Sequence, residues 1–153
     1  MRFFVCLLMM GCALPLFAKD EVNSAYMDIE LPEDIKQLLA EEMNMILHEM
    51  EFLTLQVASG NYEAIGKSAS SLESGYIMKQ KLTDEQKYIL MQRLPEEFKA
   101  LDKRFHHHAG LLAEAASQRD IERVNFYIYK MNEGCVTCHS RFASDRFTGF
   151  RAE

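Results

Sequence analysis

Residues 120–142 read DIERVNFYIYKMNEGCVTCHSRF, and this stretch decides the fold class. Asp120 is a residue type that caps helices by accepting from an early backbone N–H. Behind it Ile121, Val124, Ile128, Met131, Cys135, Cys138 and Phe142 recur at alternating spacings near four and three. That is the period of an amphipathic α-helix. The spacing therefore predicts a long last helix whose core-facing stripe includes both cysteines.

Upstream, the same period recurs. Pro95 starts a helix predicted over 96–117, with Phe98, Leu101, Phe105, His108, Leu112 and Ala115 on one seam, and the pattern is lost at Gln118 and Arg119. His108 lies on that seam, as a hydrogen-bonded core histidine or a pocket residue, whereas His106 and His107 point elsewhere and read as surface groups. A capping-box pattern at Thr83 and Gln86 opens a short helix ending near Arg93. Asn61 caps a helix carrying Tyr62, Ile65, Ala69, Leu72 and Tyr76, although Gly66, Gly75 and the serines within 68–74 lower its propensity, so it depends on packing. The first helix begins with Pro32, Glu33 and Asp34 in its opening turn and runs to about Ser59, where Gly60 stops it. Its stripe is Leu39, Met43, Ile46, Met50, Leu53 and Val57. No stretch alternates with period two long enough to form a strand. The expectation is an all-α domain over 31–143, an antiparallel four-helix bundle, preceded by an extended arm over 19–30. The polar tail over 144–153 carries Phe147 and Phe150 and is able either to fold back or to stay mobile.

Composition agrees with one soluble globular domain: 153 residues, 48% hydrophobic and 26% charged, with 7 Gly and 3 Pro. Disordered, collagen-like and polytopic membrane classes are excluded on this balance. Residues 1–18, MRFFVCLLMMGCALPLFA, hold one charge, Arg2, then an apolar run and a small residue, Ala18. This is the pattern of a secretory signal peptide cleaved after Ala18, and it implies a periplasmic protein. A lipoprotein signal ending at Cys12 is the competing reading, but the apolar run continues past that cysteine to Phe17. The run is too short for a comfortable membrane span, so no stable membrane insertion is expected. A net charge of −6 disfavours nucleic acid as a partner.

Of the 4 cysteines, Cys6 and Cys12 leave with the leader, so Cys135 and Cys138 remain and no disulfide framework is available. With His139 they spell Cys-Val-Thr-Cys-His, the pattern of c-type haem attachment. The chemistry requires two thiols about one helical turn apart to reach two vinyl groups, and an imidazole beside the second thiol to meet the iron. Cys135, Cys138 and His139 satisfy this on one face of a helix. His139 is then the proximal ligand of one covalently attached haem c. Zinc would ask for four well-separated ligands, for which His106, His107 and His108 are the only reserve. A thioredoxin-like dithiol belongs in a βαβ setting, and here the motif lies late in a long helix.

A haem motif near the C-terminus of a helical bundle, with the stretch 97–142 around it, resembles the class II c-type cytochromes, the cytochrome c′ family. The likeness is strongest in the paired phenylalanines Phe98 and Phe105, the Ala-rich end of that helix, Asp120, and the terminal motif. The family often continues Cys-His-x-x-Tyr-Arg; here Phe142 keeps the aromatic, but Ala143 stands where the arginine would be. That departure weighs against gas chemistry of the cytochrome c′ kind, and Arg141 could substitute only from another side of the helix. The resemblance implies an electron carrier rather than an enzyme, with redox proteins as partners and, in many relatives, a homodimer.

Function then turns on the sixth coordination position. Matching the first helix to the family by its apolar seam puts Met43 at the distal, haem-facing position, where its thioether can ligate iron. His48, His108 and Met50 are the other candidates, and a methionine on a helical seam is ordinarily core filler. A ligating side chain suits electron transfer, whereas a non-ligating pocket suits binding of NO or CO. A haem-free periplasmic metal-binding bundle using Cys135, Cys138 and the three-histidine run is the remaining alternative. Tyr127 and Tyr129, with Lys130 and Arg123, are available to cover a haem edge or pair with propionates.

Overall fold

The structure is a computed structural model that describes residues 29–75 and 81–150. The leader with its cleavage after Ala18, the Cys12 alternative, most of the arm, and Tyr76 lie outside the described residues. The protein is all-helical, with no strand among the described residues. Its α-helices are α1 (Glu33–Ala58), α2 (Tyr62–Ser74), α3 (Asp84–Arg93), α4 (Glu96–Ser117) and α5 (Ile121–Phe142), followed by one 3-10 turn at Thr148–Phe150. None of the described helices is long and apolar enough to cross a membrane.

The helix boundaries follow from local chemistry. Pro32 sits at the cap rather than inside the first turn, its carbonyl accepting from Lys36 N at 2.9 Å, and Glu33 and Asp34 complement the positive end of α1. Gly60 takes φ +66°, the left-handed conformation that ends a helix at least cost for glycine. Asn61 accepts from Ala64 N at 3.2 Å and starts α2, and Asp120 accepts from Arg123 N at 3.0 Å and starts α5. The box at α3 is reciprocal: Gln86 N donates to Thr83 Oγ1 while Thr83 N donates to Gln86 Oε1. Between α4 and α5, Arg119 takes φ 54° and its guanidinium stands 5.1 Å from the Tyr62 ring centroid.

Packing is closest between α2 and α4, then between α4 and α5, with α1 laid against α2 and only lightly against α5. Small residues allow the close approach: Ala69 of α2 and Ala109, Ala115 and Ala116 of α4 are all buried. This is how α2 persists despite its serines and glycines. Ser68 also donates to Glu49 Oε2 on α1 at 2.5 Å.

The core divides in two. One cluster gathers Met50, Leu53, Ile65, Leu72, Leu112, Val124 and Met131 with the small residues of α4, and Ile46 and Phe105 pack against it. The second gathers Leu31, Ile35, Leu82, Leu90 and Leu94, and Leu39 and Phe98 pack against it. On α4 the predicted seam is displaced: Ala109 is fully buried where His108 was expected, because alanine carries too little apolar signal to mark the face it occupies. Ile121, expected in the core, is 40% exposed in the first turn of α5.

Candidate haem-attachment site

The motif lies within the continuous helix α5, so Cys135, Cys138 and His139 stand at i, i+3 and i+4 on one face. All three are half-buried, and both thiols are unbridged. Burial pushes the Cys135 thiol above its ordinary range and pushes Cys138 up to about 11, the latter aided by the neighbouring Cys135 and by Asp102 of α4. Burial lowers His139, and Arg146 adds to the effect, so its imidazole is neutral at pH 7. The donor set is thus two protonated thiols and a neutral imidazole, the form in which thiols add across vinyl groups and an imidazole nitrogen ligates iron. These residues fit the group the motif implies.

Their level in the fold is informative. Along α1, Leu39 packs with the second cluster and Ile46 with the first, and Met43 between them belongs to neither among the described residues. Along α4, Phe98 packs with the second cluster and Phe105 with the first, and Leu101 between them is buried but belongs to neither. Along α5, Met131 lies in the first cluster, and Phe142 meets Phe98 edge-to-face at 5.3 Å. Cys135 and Cys138 fall between them. Met43 on α1, Leu101 on α4 and the two cysteines on α5 thus each lie, along their own helix, between residues of the two clusters.

The end of α5 is pinned. Arg141 donates from Nε and Nη2 to Glu97 Oε1 at 2.9 and 2.5 Å, so it is committed to α4 and not to the His139 side. The tail folds back: the Phe147 ring stacks on the His139 imidazole with centroids 4.2 Å apart and planes 12° from parallel.

The histidines are distributed differently from expectation. His106, read as a surface group, is the bonded one: Nδ1 lies 2.6 Å from the Leu72 carbonyl oxygen, and Nε2 lies 3.4 Å from Asp102 Oδ1. Asp102 raises its pKa most, burial opposes this, and the Leu72 carbonyl and Glu42 add to the rise. A small cavity beside it is lined by Glu42, Met45, Ile46, Glu49, Leu72 and His106. His108 instead tilts against Tyr127 at 6.3 Å, its pKa lowered by burial and then by His107, Lys130 and Arg104. His107 is exposed. His48 is exposed with Glu51 3.6 Å away, and Met50 is packed in the first cluster. Tyr129 is 60% exposed and under Lys130, on the outer side of α5.

Among the described residues no three side chains of His, Cys, Asp or Glu gather in a metal-holding group. The histidine run and the two cysteines are therefore not joined in one ligand set. Sequence periodicity did not single out Asp102, whose charge acts on Cys138, or Phe147, which stacks on His139. No family model, curated protein or solved structure matches the chain.

Proposed function

We propose that this chain is a periplasmic monohaem c-type cytochrome that carries electrons and is not an enzyme, exported by residues 1–18 and built as an antiparallel four-helix bundle like the class II c-type cytochromes. One observation carries the reading: unbridged Cys135 and Cys138 and the His139 imidazole share one face of α5, between residues that belong to the two hydrophobic clusters. Cys135 and Cys138 would hold the group through thioether bonds, and His139 and Met43 would be the side chains that ligate its iron. Bound there, haem iron supplies one-electron exchange between its ferric and ferrous states. The chain's own part is to hold the ligands still and keep water out, through Leu101, Phe98, Phe105 and Phe142. Val136, between the two cysteines, is 50% exposed, so the motif lies near the surface, within reach of a redox partner.

The test is an absorption spectrum of protein matured in a bacterial periplasm, recorded oxidised, reduced and after CO addition. A low-spin c-type spectrum with pigment that survives denaturing electrophoresis is expected. The Cys135→Ala/Cys138→Ala variant is expected to lose that pigment and accumulate poorly, because the ligand no longer stabilises the fold. Covalent pigment persisting in the double variant defeats the proposal, and a high-spin, CO-reactive wild type moves it to a gas-binding module.

A further inference from the structure

Beyond the motif, the chain makes a compact return. Ala143 ends α5 with its N–H still bonded to the His139 carbonyl at 3.0 Å. Its own carbonyl accepts from both Arg146 N at 3.1 Å and Phe147 N at 2.9 Å, which turns the backbone around, and Ser144 inside this turn is buried. The turn delivers the Phe147 ring flat onto the His139 imidazole, and the Arg146 guanidinium stands 5.7 Å from the Phe147 centroid. Among the described residues this is the only parallel stack; the other ring pairs are tilted or edge-to-face at 5.3 Å or more.

The geometry separates two uses of one imidazole. Stacking engages the ring's π face, whereas ligation uses a nitrogen lone pair that lies in the ring plane. The two do not compete. The helix fixes only the Cα of His139, and rotation about Cβ–Cγ is a broad, soft torsion for histidine. A flat ring held parallel at 4.2 Å restricts that rotation, because turning the imidazole would drive its edge into Phe147. Groups around a metal-ligating histidine that set its ring plane are part of how a protein tunes such a site.

We propose, resting on the haem reading above, that Phe147 is a positioning residue for the proximal ligand: the turn at residues 143–147 clasps the His139 imidazole in a single plane for axial ligation. Arg146 secures the clasp from the Phe147 side. The tail that sequence periodicity left unassigned thereby acquires a role at the haem-facing end of α5.

The experiment compares full-length, periplasm-matured wild type with Phe147→Ala, Phe147→Leu and Phe147→Tyr. The readouts are the ferric electron paramagnetic resonance spectrum and the hyperfine-shifted haem methyl resonances, which report imidazole orientation independently of any turnover. Phe147→Ala is expected to keep its covalent pigment but to broaden the ferric signal and replace one set of methyl resonances by several. Phe147→Leu retains apolar bulk without a flat face and is expected to do the same, which keeps the test valid if the alanine variant accumulates poorly. Phe147→Tyr preserves the stack and is expected to give the wild-type spectra. Pigmented Phe147→Leu or Phe147→Ala protein with unchanged spectra and only a lower melting temperature overturns the clasp and leaves the haem reading intact. A wild type without covalent pigment overturns both, and is recognised before any variant is made.

Discussion

The His106 imidazole on α4 donates from Nδ1 to the Leu72 carbonyl oxygen, 2.6 Å away in the last turn of α2. That carbonyl also accepts from Gly75 N at 3.3 Å, so a histidine from a neighbouring helix helps close the end of α2. A positive charge there is favoured by the helix dipole, and Asp102 on α4 and Glu42 on α1 reinforce it.

The first prediction concerns pH. The folded pKa of His106 is raised above 6.5, so its protonated form is bound more tightly in the native state. The resulting stability is fully present below the ordinary histidine pKa and is lost as pH rises from there through the raised folded value. Unfolding free energies of wild type and His106→Gln from urea titrations, measured from about pH 6 to about pH 9, are expected to converge as pH rises, the wild-type advantage being largest at the acid end. A constant difference across that range defeats this account.

The helix starts were legible in the sequence because caps are local: Asn61, the Thr83 and Gln86 box and Asp120 each act within three residues of themselves. The side each helix presents was less so. On α4 the choice between His106 and His108 depends on which way the seam turns at Ala109, and a residue with one methyl group hardly registers in a hydrophobic pattern. The packing of α2 was foreshadowed by its small residues but needed Ala109, Ala115 and Ala116 opposite. The motif was plain from three residues. Phe147 was not, since a turn that reverses the chain after Ala143 has no period to read, and the charge of Asp102 acts on the Cys138 thiol only through the packing of α4 on α5.

The second prediction tests the tie between Arg141 and Glu97. The partners are 25% and 41% exposed, so solvent and salt screen them and the pair is a modest anchor for the end of α5. A double-mutant cycle with Arg141→Gln and Glu97→Gln is expected to give a coupling of about 0.5 to 1 kcal/mol that shrinks with added salt. Because Arg141 is turned toward α4, its loss is expected to leave the haem spectrum unchanged. A shifted spectrum in Arg141→Gln would place the guanidinium at the proximal face after all.

The third prediction concerns the reactivity of the two thiols. With its pKa at about 11 against an ordinary 9.0, Cys138 has about a hundredfold smaller thiolate fraction than a free thiol at neutral pH, and thiolate is the reacting species. Haem-free full-length protein is expected to alkylate slowly with iodoacetamide, Cys138 slowest, and to regain ordinary rates in urea. The same effect slows oxidation to a disulfide, which would block the attachment proposed above. Equal rates in native and denatured protein would show that burial does not protect the pair.

The last prediction is that Met43 is the sixth ligand. It stands half-buried on α1 between Leu39 of the second cluster and Ile46 of the first, as the cysteines of α5 stand between Met131 of the first and Phe142, which meets Phe98 of the second. A methionine serving only as filler is better placed inside a cluster, as Met50 and Met131 are. Met43→Leu preserves volume and apolarity while deleting the sulfur, so stability is expected to change by less than about 1.5 kcal/mol while coordination changes completely. Wild type is expected to be low-spin in both oxidation states and slow to bind CO, because the thioether must leave first; the variant is expected to be five-coordinate and fast. A low-spin variant with an unchanged spectrum would hand the position to another side chain. His48 and Met50 are poorly placed for it, one exposed beside Glu51 and the other packed in the first cluster, so His108 would be the next residue to change.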